Sequence, residues 1–210
     1  MAGFTPEPKG TAYAGELLVR EVIQNPDGTL ATKWVEEMIP ASGEVLNLPF
    51  KKSIGNSSAD GKNIQVSAPD GLAAGALDDI PQNVRITLQV KPTEGVKHFG
   101  LCFRGKGDYD SGCELQFDTA KQRVQFAPVS NGRMAEEAGH WMAITGVTEM
   151  NKPFTLDVIV KDDLVDVCID NRRTIITRNQ TKLSGNRLFF FVNHGEVAFE
   201  QIQVRPLLEE

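Results

Sequence analysis

The segment KDDLVDVCIDNRRTIITR, residues 161–178, alternates Val165, Val167 and Ile169 with Asp166, Cys168 and Asp170. Period two is the pattern of a half-buried strand with one face turned to a core. Asp170-Asn171-Arg172-Arg173 then supplies turn residues before a second strand-like run. The acids fall on the outer face of this hairpin. Two carboxyl groups that cleave a glycosidic bond stand about 5 to 9.5 Å apart, whereas Asp166 and Asp170, four strand residues apart, are separated by roughly 13 Å. They cannot form an acid pair with each other, so either their partners lie elsewhere or the hairpin does no chemistry.

The same period recurs at 84–90, 97–104, 113–117, 123–126, 154–160, 164–170, 174–178, 188–192 and 197–204. Turn material separates these runs, as at residues 91–95, 105–112 and 193–195. Short strands at such spacing, with no amphipathic helix between them, predict an all-β antiparallel β-sandwich. LFFFV, residues 188–192, is apolar on both faces and predicts a strand covered on each side. Residues 41–82, rich in Gly, Ser, Asn, Ala and Asp, carry a weaker signal, with short strands expected at 45–48 and 63–67.

Register follows from the same pattern. Setting Phe103 opposite Cys113 brings Leu101 opposite Leu115 and Phe99 opposite Phe117, an all-apolar face, and leaves Cys102 on the other side. That arrangement forbids a disulfide between Cys102 and Cys113. With Cys168 the cysteines are odd in number, show no CxxC spacing and sit in apolar runs, so buried free thiols are expected.

The chain has 210 residues, 40% hydrophobic and 24% charged, enough for one packed all-β domain. A net charge of −6 without a Lys/Arg cluster argues against a nucleic-acid partner. No apolar run near 18 residues and no basic start leading into an apolar core is present, so neither a membrane span nor a signal peptide is expected. The compartment stays open. Residues 15–40 contain two β-like runs joined at Asn25-Pro26-Asp27-Gly28, a hairpin signal. Residues 1–43 are therefore read as an N-terminal hairpin and linker, and 44–210 as the sandwich.

The loop GKGDYDSG, residues 105–112, enters a strand rather than a helix and lacks the Lys-Ser/Thr of a phosphate loop. His98, His140 and His194 show no metal-ligand spacing, and no GxSxG elbow occurs. No cofactor or metal is expected, and no catalytic set is visible. The candidate site is polar: in the register above Arg104 lies one diagonal step from Glu114, on the face opposite Phe103 and Leu115. Two readings are open, a surface ion pair worth under about 1 kcal/mol, or a pocket in which Arg104 and Glu114, with Tyr109 and Asp110 above them, bind sugar hydroxyls. Trp141 would add a stacking surface.

These residues carry a resemblance. GELLVREVIQNPDGTLATKWVEEM resembles the end of the catalytic five-bladed propeller of glycoside hydrolase family 32, the invertase, inulinase and levanase group. GLCFRGKGDYDSGCELQFDTAKQRVQF and FTLDVIVKDDLVDVCIDNRRTIITR are similar to segments of that family's C-terminal concanavalin-like sandwich, with Asp166 in the place of a glutamate. The family's catalytic motifs, W-M-N-D-P-N-G, R-D-P and E-C, are missing. The resemblance implies a noncatalytic jelly-roll module that supports a catalytic propeller and binds fructan, or an independent lectin-like module for fructose-containing or other glycans. It also implies that Leu17, Val19 and Val22 leave an apolar patch where a propeller blade is absent.

Overall fold

The computed structural model describes residues 1–4, 17–129, 142–178 and 183–208, and in them the period-two segments form strands. In chain order these are β1 (Ala2–Phe4), β2 (Leu17–Val19), β3 (Glu21–Gln24), β4 (Leu30–Lys33), β5 (Phe50–Ile54), β6 (Asn56–Asp60), β7 (Asn63–Leu77) and β8 (Val84–Pro92). There follow β9 (His98–Lys106), β10 (Ser111–Asp118), β11 (Arg123–Pro128), β12 (Met142–Thr145), β13 (Phe154–Lys161), β14 (Leu164–Ile169), β15 (Arg173–Arg178) and β16 (Arg187–Pro206). Among the described residues the helical content is one 3-10 turn, Glu36–Met38.

Two long strands belong to both layers of the sandwich. Residues 188–193 of β16 pair with β9 and with the later half of β7, whereas residues 195–206 pair with the earlier half of β7 and with β8. The first layer thus runs β5, β7, β16, β9, β10, β11, β12, and the second β6, β7, β16, β8, β13, β14, β15, all antiparallel. The crossing lies where β7 has Gly71 at φ 76° and β16 has His194 at φ 59° and Gly195 at φ 133°, conformations that bend a strand out of one sheet.

Phe190, Leu101, Leu115 and Phe126 stand in one cross-strand row on the inner face of the first layer. With Leu88, Leu156, Val158 and Val167 of the second layer they belong to one buried core, and each fully buried Leu or Phe contributes about 1.5–3 kcal/mol. The expected pairings of Phe103 with Cys113, Leu101 with Leu115 and Phe99 with Phe117 are all present. All three cysteines are free and buried, Cys113 in the core between layers and Cys102 on the opposite face.

Two expectations are corrected. Residues 45–48 form no strand; Leu46 donates one backbone bond to Val204 as the chain follows β16. The short strand expected at 63–67 is the first third of the 15-residue β7, whose later part, Ala73, Ala74, Gly75 and Ala76, is buried on both faces and so shows no apolar alternation. Side-chain space there is filled from outside: Phe50 and Ser57 lie against Gly75.

The N-terminal hairpin forms as read, β3 against β4, with Gly28 at φ 87° closing the turn and Asp27 accepting the Thr29 N–H at 3.0 Å. It joins neither layer's sheet. Instead the Thr32 N–H donates to the Arg172 carbonyl (3.0 Å) and Arg20 reaches Asp166 of β14 with 2.6 Å to each carboxylate oxygen. Asp170, the other acid of the opening segment, accepts the Thr155 N–H at 2.7 Å.

Candidate functional site

In the segment CELQFD, Cys113, Leu115 and Phe117 face the core, so the pleat sends Glu114, Gln116 and Asp118 to the outer face of the first layer. On β11, Val124 and Phe126 take the core and send Arg123 and Gln125 outward. The pairing aligns these side chains into rows. One runs Ala76, Phe189, Cys102, Glu114, Ala127; the next Ala74, Phe191, Gly100, Gln116, Gln125; the third Asn193, His98, Asp118, Arg123. The face is therefore apolar over β7 and β16 and polar over β10 and β11. Gly100 is required between the halves, because a Cβ there would stand 3.0 Å from a ring carbon of Phe191 and closer still to the Leu115 carbonyl.

A chain of hydrogen bonds converges on Glu114. The Tyr109 hydroxyl donates to its Oε1 at 2.7 Å, Gln116 donates from Nε2 to its Oε2, and Gln125 donates from Nε2 to the Gln116 Oε1 at 2.7 Å. All four side chains are buried. Burial pushes the Tyr109 hydroxyl well above its ordinary value, and the Glu114 charge adds to this, so the phenol stays a donor. Tyr109 itself has φ 78°, a strained conformation for a bulky residue. Its ring is held edge-on to Phe189 at 5.1 Å between centroids and tilted to Phe191 at 5.8 Å.

The row becomes charged and more accessible at its other end. Asp118 accepts the Lys121 N–H at 3.0 Å, and its Oδ2 lies 3.6 Å from Arg123 Nη2 and 3.7 Å from His98 Nε2. Oδ2 of Asp118 and Oε1 of Gln125 are buried acceptors that receive no hydrogen bond among the described residues. His98 is 26% exposed, against 1% for Asp118, so the solvent-facing end is at the imidazole.

Burial lowers the His98 pKa; the Asp118 charge opposes this, while Lys121, Lys97 and His194 reinforce it. As pH falls below about 6.5 the unfolded chain takes up this proton before the folded one. The stability tied to His98 is thus present above that pH and lost as pH falls toward the folded-state value. Denaturant midpoints at about pH 7.5 and about pH 5.5 should show a smaller acid loss in His98→Gln than in the parent protein; equal losses would remove His98 as the cause.

Of the residues singled out from the sequence, Tyr109 and Glu114 are brought together. Arg104 is not brought to Glu114. It has φ 56° at a bulge, where Arg187 opposes Gly105 but Phe189 opposes Cys102, and its guanidinium donates to the backbone carbonyls of Gln82 and Asp162. The diagonal contact assumed an unbroken pleat, and the bulge turns the side chain away. Asp110 is exposed on the turn, its carboxylate against Gly107. Trp141 lies outside the described residues. Sequence reasoning missed Gln116, Asp118, Arg123, Gln125 and His98, although the shared outward phase of Glu114, Gln116 and Asp118 was already in the strand pattern.

No family model matches the chain, and no curated protein matches its sequence. Solved structures do resemble it. The carbohydrate binding module CBM66 from Bacillus subtilis aligns with TM-score 0.64 and 17% identity over 76% of this chain and 97% of that one. The sucrose-6-phosphate hydrolase from Lactobacillus gasseri aligns with TM-score 0.53 and 14% identity over 92% of this chain but 33% of its own, so the chain spans about a third of that enzyme. The exoplasmic/lumenal domain of VIP36, in a Ca2+/Man3GlcNAc-bound form, aligns with TM-score 0.54 and 10% identity over 77% of this chain and 84% of that domain. At these identities the likeness establishes the fold, an antiparallel β-sandwich.

Proposed function

We propose that this chain is a noncatalytic carbohydrate-binding module whose ligand lies on the outer face of the first layer, above the Glu114 row. The observation that carries this reading is the hydrogen-bonded series Tyr109, Glu114, Gln116, Gln125 leading to Asp118 on a sheet face whose other half is aromatic. Glu114, Gln116 and Gln125 are buried and act from beneath, so sugar hydroxyls would meet this face at its solvent-facing end, where His98 is 26% exposed beside Asp118 and offers a ring nitrogen as donor or acceptor. The fold it shares with a carbohydrate binding module and a lumenal domain with bound mannoside supports the assignment. Glu114 and Asp118 are four strand residues apart, about 13 Å, which is too far for a hydrolytic pair.

Fructose-containing glycans are the proposed ligands, on the resemblance of the strand motifs to family 32. Calorimetric titration with levan, inulin and sucrose tests this. Heat with levan or inulin is expected, weakened about tenfold or more in His98→Ala, which removes the solvent-facing contact, and weakened also in Glu114→Gln, which loosens the hydrogen-bonded row beneath it. Circular dichroism of both variants separates lost binding from lost fold. No heat with any of the three sugars in the parent protein overturns the fructan assignment.

A second role, support of a catalytic propeller, is favoured by the N-terminal segment. Leu17 is 61% exposed, Val22 44%, Leu30 62% and Met38 57%, so residues 17–38 leave several apolar side chains uncovered. The larger share of this chain matched by the hydrolase, 92% against 76% for the binding module, fits an N-terminal segment carried along with a propeller. Propeller motifs in the reading frame upstream of Met1 would support this role, and a gene that begins at Met1 would remove it.

A further inference from the structure

The second layer carries a cleft of its own. Residues 33–39 stand over the outer face of β8, β13 and β14 and enclose about 450 Å³, inside the range of about 300–1,000 Å³ in which small-molecule sites fall. Its floor is the outward phase of three adjacent strands: Thr155 is paired with Gln89, and Thr87 lies between Asp157 and Gln203. All of these side chains reach solvent. Trp34, 7% exposed, forms part of the wall.

The chemistry of the lining is narrow. Arg85 donates from Nε and Nη2 to both oxygens of Asp157, at 3.0 and 2.5 Å, so neither charge is left to select an ion. Lys33 is paired with Glu21 at 3.0 Å. Glu36 adds one acceptor carboxylate to the lining, and the other polar groups are amide and hydroxyl, each able to donate and accept. β16 also breaks its pairing here: Gln201, at φ 53°, occupies a bulge between Glu200 and Gln203 and lines the cleft. The bulge is fastened from behind, where the Gln201 N–H donates to Asn63 Oδ1 at 3.0 Å and the Ile202 N–H to the Lys62 carbonyl at 2.9 Å. A strained, well-held residue turned into a cleft is a feature of ligand sites rather than of plain sheet.

We infer that this cleft is a second binding site, for a neutral polyhydroxylated ligand of the oligosaccharide class. An anion finds no unpaired guanidinium there and meets the Glu36 carboxylate, an apolar ligand would leave the amides and hydroxyls of the floor without partners, and a divalent cation finds Asp157 engaged on both oxygens and Glu36 as a single carboxylate. The site lies on the opposite outer face from Glu114, so one chain would hold two glycan segments and gain avidity on a polymer. It does not depend on the first site, and either can fail alone.

Side-chain amide NMR of the 15N-labelled full chain tests it, with nystose, maltohexaose, xylohexaose and cellohexaose as probes at up to about 10 mM, a range that covers millimolar dissociation constants. At least one probe should shift the Gln89, Gln201 and Gln203 amides in a saturating manner, in the parent protein and in Glu114→Gln alike. Gln89→Ala combined with Gln203→Ala should weaken that titration at least about tenfold while leaving any response of Gln116 and Gln125 unchanged. Shifts confined to Gln116 and Gln125 would overturn the second site and spare the first. No shift at Gln89, Gln201 or Gln203 with any of the four probes would overturn it as well.

Discussion

Replacing Arg20 with alanine is expected to lower the free energy of unfolding by about 3–5 kcal/mol, because it leaves a buried carboxylate without its cation. Arg20 is 7% exposed and Asp166 14%, and the guanidinium meets both carboxylate oxygens at 2.6 Å across 146 positions of sequence. Burial already holds the Asp166 carboxyl above its ordinary value, with the Arg20 charge pulling the other way. Without Arg20 that upward shift grows. A carboxyl raised in the folded state binds its proton more readily there than in the unfolded chain, so the variant should regain stability as pH falls through the folded-state value. Urea unfolding at neutral and acid pH measures both effects. Arg20→Met with Asp166→Leu should recover most of the loss, since an apolar pair of similar volume replaces a buried ion pair at little cost. A loss below about 1 kcal/mol in Arg20→Ala would class the pair with ordinary surface contacts.

Phe190→Ala should cost about 3–5 kcal/mol, the range for truncating a buried aromatic residue. Phe190 has no exposed surface and lies at 5.1 Å from Phe199, ring to ring. These two residues belong to the same strand on either side of its crossing, Phe190 in the first layer and Phe199 in the second. The contact therefore ties the two layers at the corner where they share a strand. Phe190→Leu, which keeps most of the volume, should cost under about 1.5 kcal/mol if the site can repack. Denaturant midpoints for the two variants give the comparison, and equal losses would mean that ring shape rather than volume holds the corner.

The strands whose two faces differ were legible, because alternation is a direct record of burial. Val84 to Val90 and Phe154 to Val160 show it cleanly, and the register of β9 on β10 followed from matching apolar faces. Legibility failed where burial is two-sided and the side chains are small, as in Ala73 to Ala76. It failed also where backbone geometry departs from the pleat: the bulge at Arg104 moved a guanidinium that ideal alternation puts beside Glu114. Likewise the runs 188–192 and 197–204 were separated by turn residues in sequence, and the structure joins them into one bent strand. Of the candidate site, Tyr109 and Glu114 were recoverable as a local pair, five positions apart. Gln125 and Arg123 needed the β11 pairing to bring them into the same row.

The placement of β16 also bears on how the chain acquires its shape. This strand is central to both layers, yet it lies near the end of the described chain, and its partner β7 comes more than a hundred residues earlier, as the Asn63 to Gln201 bond spans 138 positions. During synthesis β1 to β15 all emerge before β16, and the apolar flanks of β7, β8 and β9 lack their shared partner until residues 187–206 leave the ribosome. Closure over such a separation is entropically slow and leaves those flanks open to association with other chains. Nascent-chain solubility should therefore rise sharply only once the stretch through Pro206 has been translated.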